Sequence, residues 1–305
     1  MPLLSVAITP RVESDRENLL RALDDLVHEF WTAESKSDFK SGKIVLGGDS
    51  ELDLQIICHR IAHDYKIGID VGEMKVAFRE TVRRSAEGEG KYIRQTGGMG
   101  NYGHCKLRVE PNEPGMGYEF ISEIENGSVP VEFIKPIDQG VQDALALGIL
   151  AGHPMVDVKV TLIDGSFHQI DSNEIAFKFA GSIAFKEAAR KANPVLLEPV
   201  MFVEVTVPEE HLGTIIGEIN SRRGRVEGTE RHLVSIVVKA LIPLAELLHV
   251  SKLGGHVYSM RFARHEEVMP GGGTDGFGAG ITANKPGGPT GKSGSTSVKP
   301  NEESE

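Results

Sequence analysis

The sequence predicts an α+β protein in which two ferredoxin-like βαββαβ domains flank an elongated α/β domain, followed by a disordered tail. Three observations carry this. Residues 1–74 switch between strand and helix hydrophobic periods in the order strand, helix, strand, strand, helix, strand. Residues 198–267 repeat that order with unrelated letters, while 75–197 follow a different pattern. From 268 to 305 almost nothing can be buried. Ten of the 36 residues from 270 onward are Gly and four are Pro, so ordering entropy goes unopposed.

In the first segment, LLSVAIT (3–9) reads as a strand. Ser14-Asp15-Arg16-Glu17 then has the form of a capping box, followed by Leu19, Leu23, Leu26 or Val27, and Phe30 at helical spacing. WTAESKS and KIVLGGD flank a Ser41-Gly42 turn as a hairpin. A second helix from about Ser50 to Lys66 presents Leu54, Ile57, Ile61 and Tyr65, and IGIDVG closes the unit. In the third segment MFVEVTV is a strand and Pro208–Asn220 a helix. GRVEGT and HLVSIVVKALI pair, Pro243-Leu-Ala-Glu-Leu-Leu opens a second helix, and HVYSMRF ends the unit.

The middle segment starts extended through KVAFRETVRRSAEG and turns at the Gly-rich QTGGMGNYGH. HCKLRVEP, GYEFISEI and MVDVKVTLID read as strands, and 137–147 as a helix. A long helix over 173–191 shows Ile175, Phe179, Ser182, Ile183 and Lys186. Its final cations suit the negative end of the helix dipole, and Asn193-Pro194 stops it.

Composition narrows function. A net charge of −11 argues against a general polyanion binder. Residues 1–74 carry −6 of it, which leaves the middle and third segments near neutral and open to local phosphate contacts. No run of 18 apolar residues spans a membrane and no signal peptide is visible. Two cysteines give no disulfide framework, so a cytoplasmic location is expected.

Several motifs carry possible chemistry. PGGPTGKS (286–293) ends like a phosphate-binding loop, but Pro286 replaces the first glycine. No strand precedes it and no helix follows, so no nucleotide site is expected. His59 and His63 lie one helical turn apart on the exposed face. The Glu of a His-Glu-x-x-His motif is missing and no metal is assigned. His168 has no nucleophile with a defined partner, and Ser172 or Asp171 suits the N-cap of the following helix. The glycines of QTGGMGNYGH fit either a flexible hairpin tip or a recognition loop, with Asn101, Tyr102 and His104 against RNA. Arg222, Arg223 and Arg225 form either a phosphate-binding fork or a solvated turn paired with Glu218 and Glu227.

KVAFRET, QTGGMGNYGH, GYEF, MVDVKVTLIDGSFHQIDSNEIAFKFAGSIAFKEAARKANPVLLEPVM and SRRGRVEG, in that order, resemble the C-terminal half of bacterial translation elongation factor G over residues 1 to about 265. The resemblance implies that family's third (1–74), fourth (75–197) and fifth (198–267) domains, the fourth being ribosomal-protein-S5-domain-2-like and shaped like a tRNA anticodon arm. It implies a ribosome-binding module acting in tRNA–mRNA translocation, with ribosomal RNA and the tRNA–mRNA complex at the decoding centre as partners. Gly97, Gly98, Gly100, Asn101, Tyr102 and His104, with His168 and Asp171, would form the tip, and Arg222, Arg223 and Arg225 a further RNA contact.

The family's P-loop and switches belong to a GTPase domain that is missing here. The expectation is therefore no enzyme, no GTP or Mg cofactor on this chain, and a separate GTPase-domain chain as a further partner. The alternatives are half of a split factor or an inactive truncated or degenerate paralogue. Two departures favour the latter. Met99 stands where the family's GGRGQYGH tip has Arg, and Asn101 where it has Gln. The second helix of the last unit is about six residues short of the family pattern, by the same resemblance.

Overall fold

A computed structural model describes residues 2–30, 33–37, 43–96, 99–124 and 127–268. Gly97, Gly98, the Ser41-Gly42 turn, the expected tail and its PGGPTGKS segment lie outside these. The described chain is a mixed α+β structure of two four-stranded sheets and one five-stranded sheet.

In the first, β1 (Leu4–Pro10), α1 (Arg16–Glu29), β2 (Glu34–Ser37), β3 (Ile44–Gly48), α2 (Glu51–His63) and β4 (Ile69–Val76) build an antiparallel sheet of order β2-β3-β1-β4. Alternation decides its faces. Leu4, Val6 and Ile8 point inward, register with Gly48, Leu46 and Ile44 in turn, and share one apolar cluster with Leu19, Leu23 and Leu26 of α1 and Leu54, Ile57 and Ile61 of α2. The expected capping box does not form. Ser14 lies inside a 3₁₀ turn, Glu13–Asp15, and α1 starts without a side-chain cap. Ser50 does cap α2, accepting from the Asp53 N–H.

The middle arrangement contains β6 (Ala86–Thr96), β7 (Met99–Pro111), β8 (Tyr118–Ser122), α3 (Val131–Leu147), β9 (Val158–Ser166) and α4 (Glu174–Lys191), entered through the short β5 (Arg79–Val82). Its sheet order is β6-β7-β9-β8, with β8 and β9 parallel across the α3 crossover. Helix α3 starts six residues before the expected 137, with Pro136 tolerated early in it. The face of α4 made by Ile175, Phe179 and Ile183 is exposed. Ala176, Phe177, Ala180, Ala184, Phe185 and Ala188 form the buried face instead. Small residues win there because α4 lies directly on the backbone of β6 and β7. A Cβ on Gly103 would stand 2.5 Å from the Ala176 carbonyl.

The third arrangement contains β10 (Pro194–Val207), α5 (Leu212–Ser221), β11 (Arg225–Arg231), β12 (Ile236–Pro243) and β13 (Tyr258–Glu267), in sheet order β11-β12-β10-β13. This order matches the first sheet strand for strand. The expected second helix after Pro243 is only a 3₁₀ turn, Leu244–Glu246. Four apolar letters are too few to nucleate a helix before His249 turns to φ 62° and Gly254-Gly255 follow.

The buried side chains of the first and third sheets join into one apolar cluster that takes in Leu244, Leu247 and Leu253. The middle segment has its own core around Phe133, Ile137, Phe177 and Phe185. The expected boundaries at 74/75 and 197/198 fall inside β4 and β10, and β5 pairs with the first residues of β10.

Candidate nucleic-acid interface

Two segments meet at one end of the middle sheet. The first is the start of β7, so Gly100, Asn101, Tyr102 and His104 belong to a strand rather than a loop. The second is the turn after β9, which holds His168 and Asp171. Asp171 clasps the two together. Its Oδ1 accepts from the Gly100 N–H (3.2 Å), its carbonyl accepts from the Tyr102 N–H (2.7 Å), and its Oδ2 lies 3.2 Å from His168 Nδ1. Glycine at 100 permits this closeness, since a Cβ there would stand 2.7 Å from the Asp171 carboxyl carbon and push the carboxylate away.

The turn is closed on itself. The His168 N–H donates to Ser172 Oγ (2.8 Å), and the Ser172 N–H donates to the His168 carbonyl (3.0 Å). The N-cap of α4 is therefore neither Ser172 nor Asp171. It is Asn173, whose Oδ1 accepts from the Ala176 N–H (2.9 Å) while its Nδ2 donates to Asn101 Oδ1 (2.6 Å).

Behind this clasp, Tyr102 OH, Ser166 Oγ, His104 and Glu89 form a chain. Ser166 Oγ lies 2.7 Å from both Tyr102 OH and His104 Nδ1, and His104 Nε2 lies 2.9 Å from Glu89 Oε1. One consistent direction runs Tyr O–H to Ser, Ser O–H to His, His N–H to Glu. Serine, histidine and glutamate are the residue types of acyl-transfer catalysis. Here the tyrosine hydroxyl takes the serine's remaining side, where a substrate carbon would have to approach. The chain is a hydrogen-bond lock, and it uses both His104 nitrogens.

The three arginines after α5 are all paired. Arg223 grips the buried Glu198 with a two-pronged contact (2.7 and 2.9 Å) and reaches Glu246 (2.8 Å). Arg222 bonds Glu218 (3.0 Å) and the Glu246 carbonyl (3.0 Å), and Arg225 bonds Glu227 and Glu266 (both 3.1 Å). Glu198, Glu246 and Glu266 come from distant strands and turns, so sequence proximity named only part of the pairing.

His59 and His63 lie on α2 of the first segment. The His59 and His63 rings stack at 5.7 Å on exposed α2. Among the described residues no group of three or more His, Cys, Asp or Glu is placed to hold a metal ion. Burial pushes the Cys105 thiol up to about 12 and Cys58 upward, so neither is a ready nucleophile near neutral pH.

Three residues escaped the sequence reading. Glu80, within KVAFRET, is fully buried and accepts five successive backbone N–H groups, from Ile149 to His153, at 2.6–3.0 Å. Burial alone would raise its pKa. The N–H bonds from Ile149, Leu150, Ala151 and His153 outweigh that and hold the carboxyl below its ordinary range. Phe167 and Ile170 flank His168 and stand 39% and 82% exposed. Their signal was an apolar residue on each side of the polar pair His168-Gln169.

Three family models match the chain in sequence order: Elongation Factor G, domain III, over residues 1–73; Elongation factor G, domain IV, over 74–193; and Elongation factor G C-terminus, over 195–252. None of the three is a GTP-binding domain. A crystal structure of a protein from Thermus thermophilus is similar, with a TM-score of 0.68 and 36% identity. The similarity covers 88% of this chain and 41% of that one, so this chain spans less than half of that relative's length.

Proposed function

Because the chain belongs to the elongation factor G family, over that family's domain III, domain IV and C-terminal segments, we propose that it is a ribosome-binding module acting in or near tRNA–mRNA translocation. In this reading the middle domain enters the decoding centre with its clasped end foremost and blocks reverse movement sterically. Ribosomal RNA and the tRNA–mRNA complex are its partners, in the cytoplasm. Among the described residues no helix is long and apolar enough to cross a membrane.

The observation that carries the reading is the Asp171 clasp. Two segments 71 residues apart are drawn into one end by Asp171 and Gly100, as a preformed recognition surface requires. The shared strand order of the first and third sheets supports a ferredoxin-like assignment for 1–74 and 198–267. The β8-α3-β9 crossover supports a ribosomal-protein-S5-domain-2-like assignment for 75–197. None of the three matched models is a GTP-binding domain, so GTP turnover is assigned to no residue of these 305.

One observation favours a second reading, an inactive paralogue or half of a split factor. The last domain keeps only a 3₁₀ turn where its second helix is expected, which weakens a surface for the ribosome.

Co-sedimentation of the full chain with purified ribosomes at low salt tests the first reading. The chain should pellet with ribosomes, and Asp171→Ala should reduce the bound fraction. Absence of any ribosome association at low salt removes it.

A further inference from the structure

Three segments of the chain meet at Arg79, and the charges there do not balance. Arg79, on β5, is 6% exposed. Its Nη2 donates to the Pro2 carbonyl (3.0 Å) and its Nη1 to the Phe78 carbonyl (3.3 Å). Its buried Nε has no partner among the described residues. The guanidinium is therefore bonded to carbonyls and to no carboxylate, and Glu34 of β2 acts on it only through space. A buried cation held in this way has little capacity to accept further positive charge beside it.

Two imidazoles stand next to it. His265 of β13 lies opposite Pro199 of β10, its ring 5.1 Å from that of Phe262. Its Nε2 is buried and has no partner among the described residues. His153, in the turn after α3, has its ring 5.6 Å from that of Phe78. Burial disfavours the charged form of both rings, and Arg79 repels both. Asp157 opposes this at His265 and Glu80 opposes it at His153, while the amino terminus adds to the repulsion at His265. The carboxylates on the adjoining elements are already engaged. Glu80 holds its five amides, Asp157 accepts from the Gly117 N–H (2.8 Å), Glu198 is gripped by Arg223, and Glu266 bonds Arg225 and Arg264. Among the described residues none of them bonds His265.

We propose that this junction is a proton-sensitive latch: when His265 and His153 gain protons, β5 lets go of Pro2 and of the start of β10, and the middle segment is released from the first and third. The latch does not depend on the ribosome-binding reading. Its direction follows from linkage. Both folded pKa values lie below the ordinary histidine value, so opening takes up protons. The junction is closed above about pH 6.5 and weakens as pH falls below it. That window lies above the one set by the Glu80 carboxyl.

Native-state amide exchange of the full chain, corrected for the intrinsic pH dependence of exchange, tests the latch. The amides of Glu80, Arg83 and Val156 bond across the junction. Their protection should fall by up to about tenfold per histidine between about pH 7.5 and 5.5, while amides of β7 and β12 keep theirs. His265→Gln and His153→Gln should each reduce the fall, and the double variant should abolish it. His211→Gln/His256→Gln, which removes a pair bonded to each other in the third arrangement, should leave it unchanged. Ring NMR of the parent should place the His265 midpoint below about 6.5. Junction amides that stay equally protected across this range overturn the latch. So does protection lost in step throughout the chain, a fall that survives in a folded double variant, or a His265 midpoint at or above the ordinary value. If the double variant does not fold, the parent's exchange profile and ring titration decide.

Discussion

Glu80 Oε2 lies 2.6 Å from the backbone nitrogen of Ile149, the first of five successive amides gathered by one buried carboxylate. The residue before it, Arg79, donates to the carbonyl of Pro2 (3.0 Å). Both belong to β5, which pairs with the start of β10. Two neighbouring side chains therefore fasten the first segment and the turn after α3 to a strand of the third sheet. This gives KVAFRET a structural reason, and it has consequences that can be measured.

Replacing Glu80 by Gln should destabilise the chain by at least about 3 kcal/mol. An amide brings its own N–H groups toward N–H donors and leaves some of them buried without an acceptor. Urea denaturation of the parent and Glu80→Gln compares them directly. A difference under about 1 kcal/mol would mean that water or a shifted loop satisfies the amides.

The same carboxyl sets a pH dependence. Its folded pKa is lowered, so folding favours the ionised form. The contribution is complete above the ordinary carboxylate value, about 4.3, and is lost as pH falls through the lower folded value. Below about pH 4.3 the parent should therefore lose more stability per pH unit than Glu80→Gln. Denaturant midpoints of both chains between neutral and acid pH measure it.

The arginines separate by burial. Arg223→Ala leaves Glu198, 4% exposed, without its partner and should cost about 3–5 kcal/mol. Arg225→Ala removes half-exposed contacts and should cost at most about 1 kcal/mol. Thermal melts of both variants rank them. The opposite order would show that the fork on Glu198 is not holding the turn.

Glycines should respond in opposite senses. Gly103→Ala drives a methyl against the Ala176 carbonyl and should cost about 1–3 kcal/mol, because the backbone of α4 must move. Gly217→Ala meets open space within α5 and should stabilise by about 0.5–1 kcal/mol. Unfolding curves of the two variants decide whether β7 and α4 touch as closely as described.

Much of this was legible in the letters. Alternation in LLSVAIT and MFVEVTV placed the central strands, and Asn193-Pro194 ended α4 at the right turn. What failed has physical causes. The five ligands of Glu80 are backbone amides and carry no letter. Ile175, Phe179 and Ile183 are larger than the alanines beside them, yet glycine slots in β6 and β7 admit only the alanine face. The stretch after Pro243 looks helical over four residues and has no length to continue. At the candidate interface, Gly100 and Asp171 were both singled out, but their contact spans 71 residues and only folding brings them together.

The central claim is that the Gly100–Asp171 end of the chain faces the decoding centre. Gln169→Cys in a Cys58→Ser background places a single accessible thiol in the turn, Cys105 being buried. A hydroxyl-radical source attached there, with the chain bound to ribosomes, should cut small-subunit RNA at the decoding centre. Cleavage confined to other regions of the ribosome by a bound chain would contradict the account.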